Sequence, residues 1–362
     1  MASWGFSTPP TLNIGCADLN LEPVGARAAP VIPVGRFLEP LSIPLVFPRL
    51  MIPGFSREVP SRQQTKRSKL PPTCPALSTP TAERAFRVWP DRGFRIPGAP
   101  NSIEKGASLG DLLAGPAIDC LAHNISRVHP TFAAGSFRRA ARAGLGPLGL
   151  LQRGRHLAHA LRQYLPSDYA EAVGVLLRSL TPPLETTEDN GLAVFFYLPH
   201  VTFVGLYGLD DFETSMRAQY ELTKRFSAEF SLRPFLIRQP ERTLARLSEW
   251  TRDPDPHVRR LCSEGTRPRL PWAPRLPAFI EDPRPVLPLL TALRDDPSLY
   301  VRRSVANHLG DIAKDHPELV FKLCAHWLRG ASAERKWLLR HALRHPARKG
   351  DPTALRLRQL AG

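Results

Sequence analysis

Two kinds of patterning divide this 362-residue chain. From about residue 103 onward, apolar positions recur at helical spacing; before that they show no sustained period. Leu112, Leu113, Ile118, Leu121 and Ile125 fall near one face of a predicted helix that His129-Pro130 ends. Two more helices are predicted over residues 132–143 and 150–165, the second stopped by Pro166. Ser167 and Asp168 can cap a helix running to residue 180, and Thr181-Pro182-Pro183 then opens a loop. Residues 212–230 read as one long amphipathic helix. Strand signals are scarce, so residues 103–355 are expected to form an all-α body.

The body contains a repeat. Asp253-Pro254 followed by Val258-Arg259-Arg260 returns, 43 residues later, as Asp296-Pro297 followed by Val301-Arg302-Arg303. That period suits the helix pairs of a HEAT-like solenoid. In each copy the Asp can cap a helix and the Pro occupies a first-turn position where no hydrogen bond is lost. Val258, Leu261 and Cys262 share one face; Val301, Val305, Leu309 and Ile312 do the same in the second copy. Stacked pairs curve into a superhelix, so the expected fold is an all-α HEAT-like helical-repeat solenoid with a concave basic face. Arginines at one position per pair would then form a stripe suited to a phosphate backbone.

Residues 1–100 hold 17 of the 39 prolines, with pairs at Pro9-Pro10 and Pro71-Pro72 that disfavour helix. Residues 1–102 are therefore expected to be a mostly irregular, Pro-rich extension. A flexible arm, a translation start placed too far upstream and a targeting segment all remain open for it. The net charge of +16 points to an anionic partner. The excess is spread, with +6 in residues 1–100 and +10 in residues 101–362, so a basic tail does not explain it. Arg is the dominant cation, and Arg grips phosphate as a bidentate fork.

Cys16, Cys74, Cys120, Cys262 and Cys324 are odd in number and far apart, which argues against a disulfide framework and against a zinc site. A reducing, cytoplasmic setting is expected. Residues 192–207 form the nearest approach to a membrane span, but Pro199 and His200 interrupt them. No membrane partner is expected, and the N-terminus lacks the layout of a secretory signal.

The densest chemistry lies at 258–272, where Arg259, Arg260, Arg267 and Arg269 surround Glu264 and Trp272 closes the run. Three ordered motifs extend this region: Thr223-Lys-Arg-Phe-Ser-Ala-Glu-Phe-Ser-Leu-Arg-Pro-Phe235, Arg260-Leu-Cys-Ser-Glu-Gly-Thr-Arg-Pro-Arg-Leu-Pro-Trp-Ala273, and Val301-Arg-Arg-Ser-Val-Ala-Asn-His-Leu-Gly-Asp-Ile-Ala-Lys-Asp-His-Pro317. Over about residues 103–350 the chain resembles the DNA alkylation repair glycosylases of the HEAT-like-repeat superfamily, the AlkC type rather than the AlkD type. The first hundred residues match nothing in that family. Some members carry an immunoglobulin-like domain after the repeats, and residues 351–362 are too few to form one. The resemblance implies a monofunctional enzyme, acting as a monomer without cofactor. Its substrate would be alkylated double-stranded DNA, from which it would remove N3-methylated bases: chiefly 3-methyladenine, with 3-methylcytosine as a second candidate. It also implies three acidic site positions, which fall on Glu229, Glu264 and Asp311.

Spacing alone supports a plainer reading of each acid. Glu229 lies four residues from Arg225 and Arg233, Glu264 four from Arg260, and Asp311 three from Lys314, all ordinary helix ion-pair spacings. Trp272 is either a packing aromatic or a wall against the damaged nucleotide; Trp250, behind Leu244 and Leu247, reads as core. Arg259, Arg260, Arg267, Arg269, Arg302 and Arg303 are candidate DNA contacts. Arg335, Lys336, Arg340 and Arg344 form a second basic helix, read as a solvated face. His308 and His316 flank Asp311 without a third ligand, so no metal site is expected. The rival to a glycosylase is a non-catalytic repeat protein that binds a polyanion. Convergence of Glu229, Glu264 and Asp311 on one point of the concave face would favour the glycosylase; dispersed carboxylates would favour the scaffold.

Overall fold

The computed structural model describes residues 86–89, 93–102 and 108–362. The expectation of an irregular extension over residues 1–85 lies outside the described residues. Residues 86–89 and 94–97, read as part of that extension, instead pair as two strands. Strand β1 (Phe86–Trp89) pairs antiparallel with β2 (Phe94–Pro97), Phe86 opposite Pro97 and Trp89 opposite Phe94. Four-residue strands are too short to show a period. The pair is also held from a distance: Asn124 brackets Arg95, accepting from its N–H and donating to its carbonyl, each at 2.8 Å. Phe94 and Ile96 are buried.

The rest is helical. The elements are α1 (Gly115–Val128), α2 (Ala134–Arg142), α3 (Leu150–Tyr164), α4 (Tyr169–Arg178), α5 (Leu198–Tyr207), α6 (Phe212–Thr223), α7 (Glu229–Arg238) and α8 (Pro240–Trp250). They continue with α9 (Pro256–Glu264), α10 (Pro277–Glu281), α11 (Leu287–Leu293), α12 (Leu299–Ile312), α13 (Pro317–Leu328), α14 (Ala333–Ala342), α15 (Arg344–Arg348) and α16 (Pro352–Leu360). Many of the body's prolines start helices instead of breaking them: Pro240, Pro256, Pro317 and Pro352 each stand in a first turn. Asp168, Asp211 and Asp351 cap α4, α6 and α16 through their carboxylates.

The helices stack in two layers. An inner row runs α3 on α5 and α5 on α7, then α9 on α12 and α12 on α14; α4, α6, α8, α11 and α13 back it. One contiguous core joins the layers. Val258, Leu261, Cys262, Val301, Val305, Leu309 and Ile312 are all buried, as their spacing predicts. This is the all-α helical-repeat architecture that the spacing predicts, and its last helix runs on to Leu360.

Two local expectations fail. The single helix over residues 212–230 is two helices, α6 and α7. After Thr223 the Lys224 carbonyl turns out of the helix and accepts from the Leu184 N–H at 2.8 Å. Arg225 closes the end of α6, donating to the Glu221 carbonyl at 2.6 Å and to the Thr181 carbonyl at 2.5 Å. Partners some forty residues away thus override a continuous apolar face.

Asp-Pro is the second case. Asp253 and Asp296 do not cap helices; each makes a turn two residues earlier, its carboxylate accepting from the N–H of Asp255 or Ser298 at 2.8 Å. Asp255 is the cap of α9, accepting from His257. The first arginine of each Val-Arg-Arg locks this turn. Arg259 donates to the carbonyls of Asp253 and Pro254 at 2.8 and 2.9 Å, and Arg302 to those of Asp296 and Pro297 at 2.5 and 2.9 Å. The repeated arginine is therefore part of the repeat's own scaffold.

Candidate active site

Glu229, Glu264 and Asp311 come from three elements, and all three sit close to an element end. Glu229 opens α7, Glu264 is the last residue of α9, and Asp311 lies one residue from the end of α12. The break between α6 and α7 matters here, since it turns Glu229 away from Arg225. Arg225 pairs with Glu221 instead, and Glu229 faces α9.

The three acids do not meet at one point. They stand in succession, each neighbouring pair separated by one guanidinium. Arg260 lies 2.8 Å from Glu229 and 3.5 Å from Glu264. Arg267 lies 2.6 Å from Glu264 and 2.8 Å from Asp311. Lys314 ends the series at 2.8 Å from Asp311. Signs alternate along this ladder, so three acids and three cations cancel. The spacings expected from the helices survive only in part: Glu264–Arg260 and Asp311–Lys314 form, whereas Arg233 makes no ion pair with Glu229.

Hydroxyls fix the carboxylates further. Ser227 donates to Glu229 Oε2 at 2.7 Å, and Ser304 to Glu264 Oε2 at 2.6 Å. Burial alone would push the Glu264 carboxyl up, but Arg260, Arg267 and Ser304 hold it down at about 2. It is therefore ionised at neutral pH although only 6% exposed. His308 lies beneath, its Nδ1 3.0 Å from the Ser263 carbonyl. Burial and the Arg267 charge depress it to about 3, so it is a neutral ring donating from Nδ1. His316 bonds elsewhere, to the Ile280 carbonyl at 2.7 Å.

A buried residue that the sequence reading did not single out holds the loop after α9. Arg233 donates to the carbonyls of Pro274 at 2.6 Å, Arg267 at 2.8 Å and Gly265 at 3.3 Å. Both ends of the loop are tied to α7 by one side chain. Nothing in a helical Arg at position 233 announces this; the three carbonyls become neighbours only on folding. Gly265 is required at the loop's start, because a Cβ there would meet Leu232 Cδ2 at 2.5 Å and the Leu261 carbonyl oxygen at 3.0 Å. Gly265→Ala is expected to cost about 1–3 kcal/mol through overpacking, read as a lowered midpoint in thermal melts; an unchanged midpoint would show that the contact relaxes freely.

At the loop's far end Trp272 is 55% exposed and has a φ of +65°. A non-glycine residue in that region carries strain. Trp272 is not a core residue. Trp250, in contrast, packs on the core beside Tyr220.

The candidate DNA contacts divide sharply. Arg260 and Arg267 are the ladder's counter-ions. Arg269 pairs with Asp315 at 2.7 Å. Arg259 makes a two-point contact with Asp296 at 2.6 and 3.0 Å. Arg302 is buried against carbonyls. These five do not form a stripe of free guanidiniums. Of the six arginines, Arg303 alone is exposed without an ion pair among the described residues.

A two-layer helical repeat whose inner row carries a carboxylate–guanidinium ladder defines a class by its fold: HEAT-like-repeat proteins. The comparisons place the chain within it. No family model matches. The chain is 38% identical over 252 residues to the Bacillus subtilis (strain 168) protein YhaZ, described as uncharacterised, covering 69% of this chain and 68% of that one. It is 39% identical to the Pseudomonas fluorescens alkylpurine DNA glycosylase AlkC, solved bound to DNA containing an abasic site analog; the match covers 70% of this chain and 68% of that one, with a TM-score of 0.64. The chain belongs to the AlkC family.

Proposed function

We propose that this protein is a monofunctional DNA glycosylase that hydrolyses the N-glycosidic bond of N3-methylated bases in duplex DNA. 3-Methyladenine is the principal substrate and 3-methylcytosine a second. The supporting observation is the ladder: the three acids singled out by family resemblance, distant in sequence, are joined through Arg260 and Arg267 into one connected site.

The chemistry fits a site of this kind. Methylation at N3 makes the base cationic, so it leaves without help from an acid. The sugar passes through an oxocarbenium-like state, as in glycoside hydrolysis. Such a state needs nearby negative charge and a placed water. At ~4 Å and an effective dielectric of ~20, one carboxylate contributes about 4 kcal/mol. Glu264 is suited to this because it stays ionised in a buried setting. Glu229 suits the water: Ser227 and Arg260 both bond its Oε2, which leaves Oε1 without a protein donor among the described residues. Trp272 would stack on the damaged nucleotide, its π face attracting the cationic base.

The direct test is release of free base from DNA carrying N3-methyladenine or N3-methylcytosine, using the full chain. Binding without release would instead identify a non-catalytic polyanion-binding repeat protein. Trp272→Ala should lower kcat/KM by about 5- to 150-fold, the equivalent of the ~1–3 kcal/mol of a base–aromatic stack, at an unchanged melting temperature. Wild-type kinetics in that variant would remove the indole from the site. Among the described residues no helix is long and apolar enough to cross a membrane.

A further inference from the structure

Internal pairing sorts the basic residues around the ladder into two groups. Arg259, Arg260, Arg267 and Arg269 each meet a carboxylate of this chain. Arg303, Arg344 and Arg348 meet none among the described residues. Guanidiniums already bonded to carboxylates are poor candidates for phosphate, since an incoming phosphate would have to displace an intact charge-assisted bond. The unpaired group is where a polyanion gains most.

That group is placed and oriented. Arg344 follows α14, which packs on α12. Its Nη2 donates to Asn307 Oδ1 at 2.9 Å and its Nη1 to the His341 carbonyl at 2.7 Å. Asn307 Oδ1 also lies 3.1 Å from His341 Nε2, and the His341 ring stacks on Trp337. Arg344 Nη1 comes within 4.0 Å of the space a Cβ would fill on Gly310, the residue before Asp311. The fork is thus held by neutral acceptors at the end of the ladder, with three of its five N–H groups unengaged. Arg303, on α12, and Arg348 and Lys349, at the end of α15, are exposed. Their mutual influence marks one patch. Burial lowers the Arg344 pKa, and Arg267 and Arg348 lower it further. Burial depresses His341 to about 4, with Arg344 and Arg303 adding to the effect.

We propose that Arg303, Arg344 and Arg348 form a seat for backbone phosphates of the DNA strand, beside Asp311, in place of the repeated Arg259/Arg302 stripe. The seat rests on the reading of the protein as DNA-binding. It would fix the strand's register so that a lesion's sugar falls on the carboxylates, leaving the ladder's own arginines to hold those carboxylates in place.

The test is binding of the full chain to unmodified duplex DNA across a salt series, followed by fluorescence anisotropy. Each phosphate contact contributes about 0.9 to the slope of log K against log salt. The Arg303→Ala/Arg344→Ala/Arg348→Ala variant should lose about 2–3 from that slope; Lys322→Ala, on the outer helix α13, should keep it. If the triple variant melts early, the exposed pair Arg303→Ala/Arg348→Ala must still lose about 2. A wild-type slope in these variants overturns the seat, whatever happens to base release. Loss of slope in a protein whose wild type releases no base supports the seat and sinks the glycosylase reading. Failure of the wild type to bind duplex DNA sinks both.

Discussion

Glu264→Gln is expected to lower base release about a thousandfold while leaving binding to undamaged duplex DNA within a few-fold of wild type. The substitution keeps the shape of the side chain and an acceptor for Ser304, but removes the charge. If that charge faces the developing sugar cation, the ~4 kcal/mol it contributes corresponds to roughly three powers of ten in rate. Single-turnover kinetics on N3-methyladenine DNA would measure this, and a loss under tenfold would sink the electrostatic role. Asp311→Asn should follow in the same direction. Because Glu264 is held at about 2 by its surroundings, base release should show no acid limb from this residue above about pH 3.

Arg267→Met carries the largest expected effect on stability. Arg267 is the joint counter-ion of Glu264 and Asp311, which are 6% and 3% exposed. Removing it leaves two buried carboxylates short of positive charge. Breaking a buried pair in this way costs about 3–5 kcal/mol, or roughly 10 °C in melting temperature for a chain of this size. The pH dependence should change with it. In the wild type the folded Glu264 pKa lies below its ordinary value of 4.5, so its ionisation stabilises the fold above that pH. This contribution, about 3 kcal/mol at ~1.36 kcal/mol per unit, is lost as pH falls from about 4.5 toward 2. In Arg267→Met one of the two depressing charges is gone while Arg260 and Ser304 remain, so the same acid titration should destabilise less. Melts from pH 2 to 7 that show equal acid sensitivity in both proteins would contradict the coupling.

The two variants probe different links. Glu264→Gln asks what the carboxylate does to a substrate; Arg267→Met asks what holds the carboxylate charged inside the protein. Arg233 lies one step further back, since it anchors the backbone of Arg267 itself.

How much of this was legible in the sequence can be traced residue by residue. Helical periodicity reports burial on one face, so α1, α3, α4 and α12 were legible from spacing, and the 43-residue repeat correctly paired α9 with α12. Three acids could be picked out by resemblance. Their partners could not, except for Arg260 with Glu264 and Lys314 with Asp311, which are one helical turn apart. Glu229 with Arg260 spans 31 residues, and Arg267 with Asp311 spans 44. Such pairs exist only once α7, α9 and α12 stack. The arginine stripe failed for a related reason. Repetition at a fixed position shows that a residue matters to the repeat, but a repeated arginine can serve a phosphate or a turn's carbonyls equally well. Here Arg259 and Arg302 serve the turns. The strand pair at residues 86–89 and 94–97 was missed because strands of four residues leave no pattern, and its anchor, Asn124, lies 29 residues away from Arg95.

By itself, then, the sequence determined the helices, their repeat and the residues worth suspecting, because periodicity and cap chemistry act over a few residues. The tertiary structure alone decided which charges neutralise one another and which remain for a partner. Those outcomes depend on distances of about 3 Å between groups from separate helices, where a single turn such as Lys224–Ala228 decides whether Glu229 faces Arg225 or Arg260.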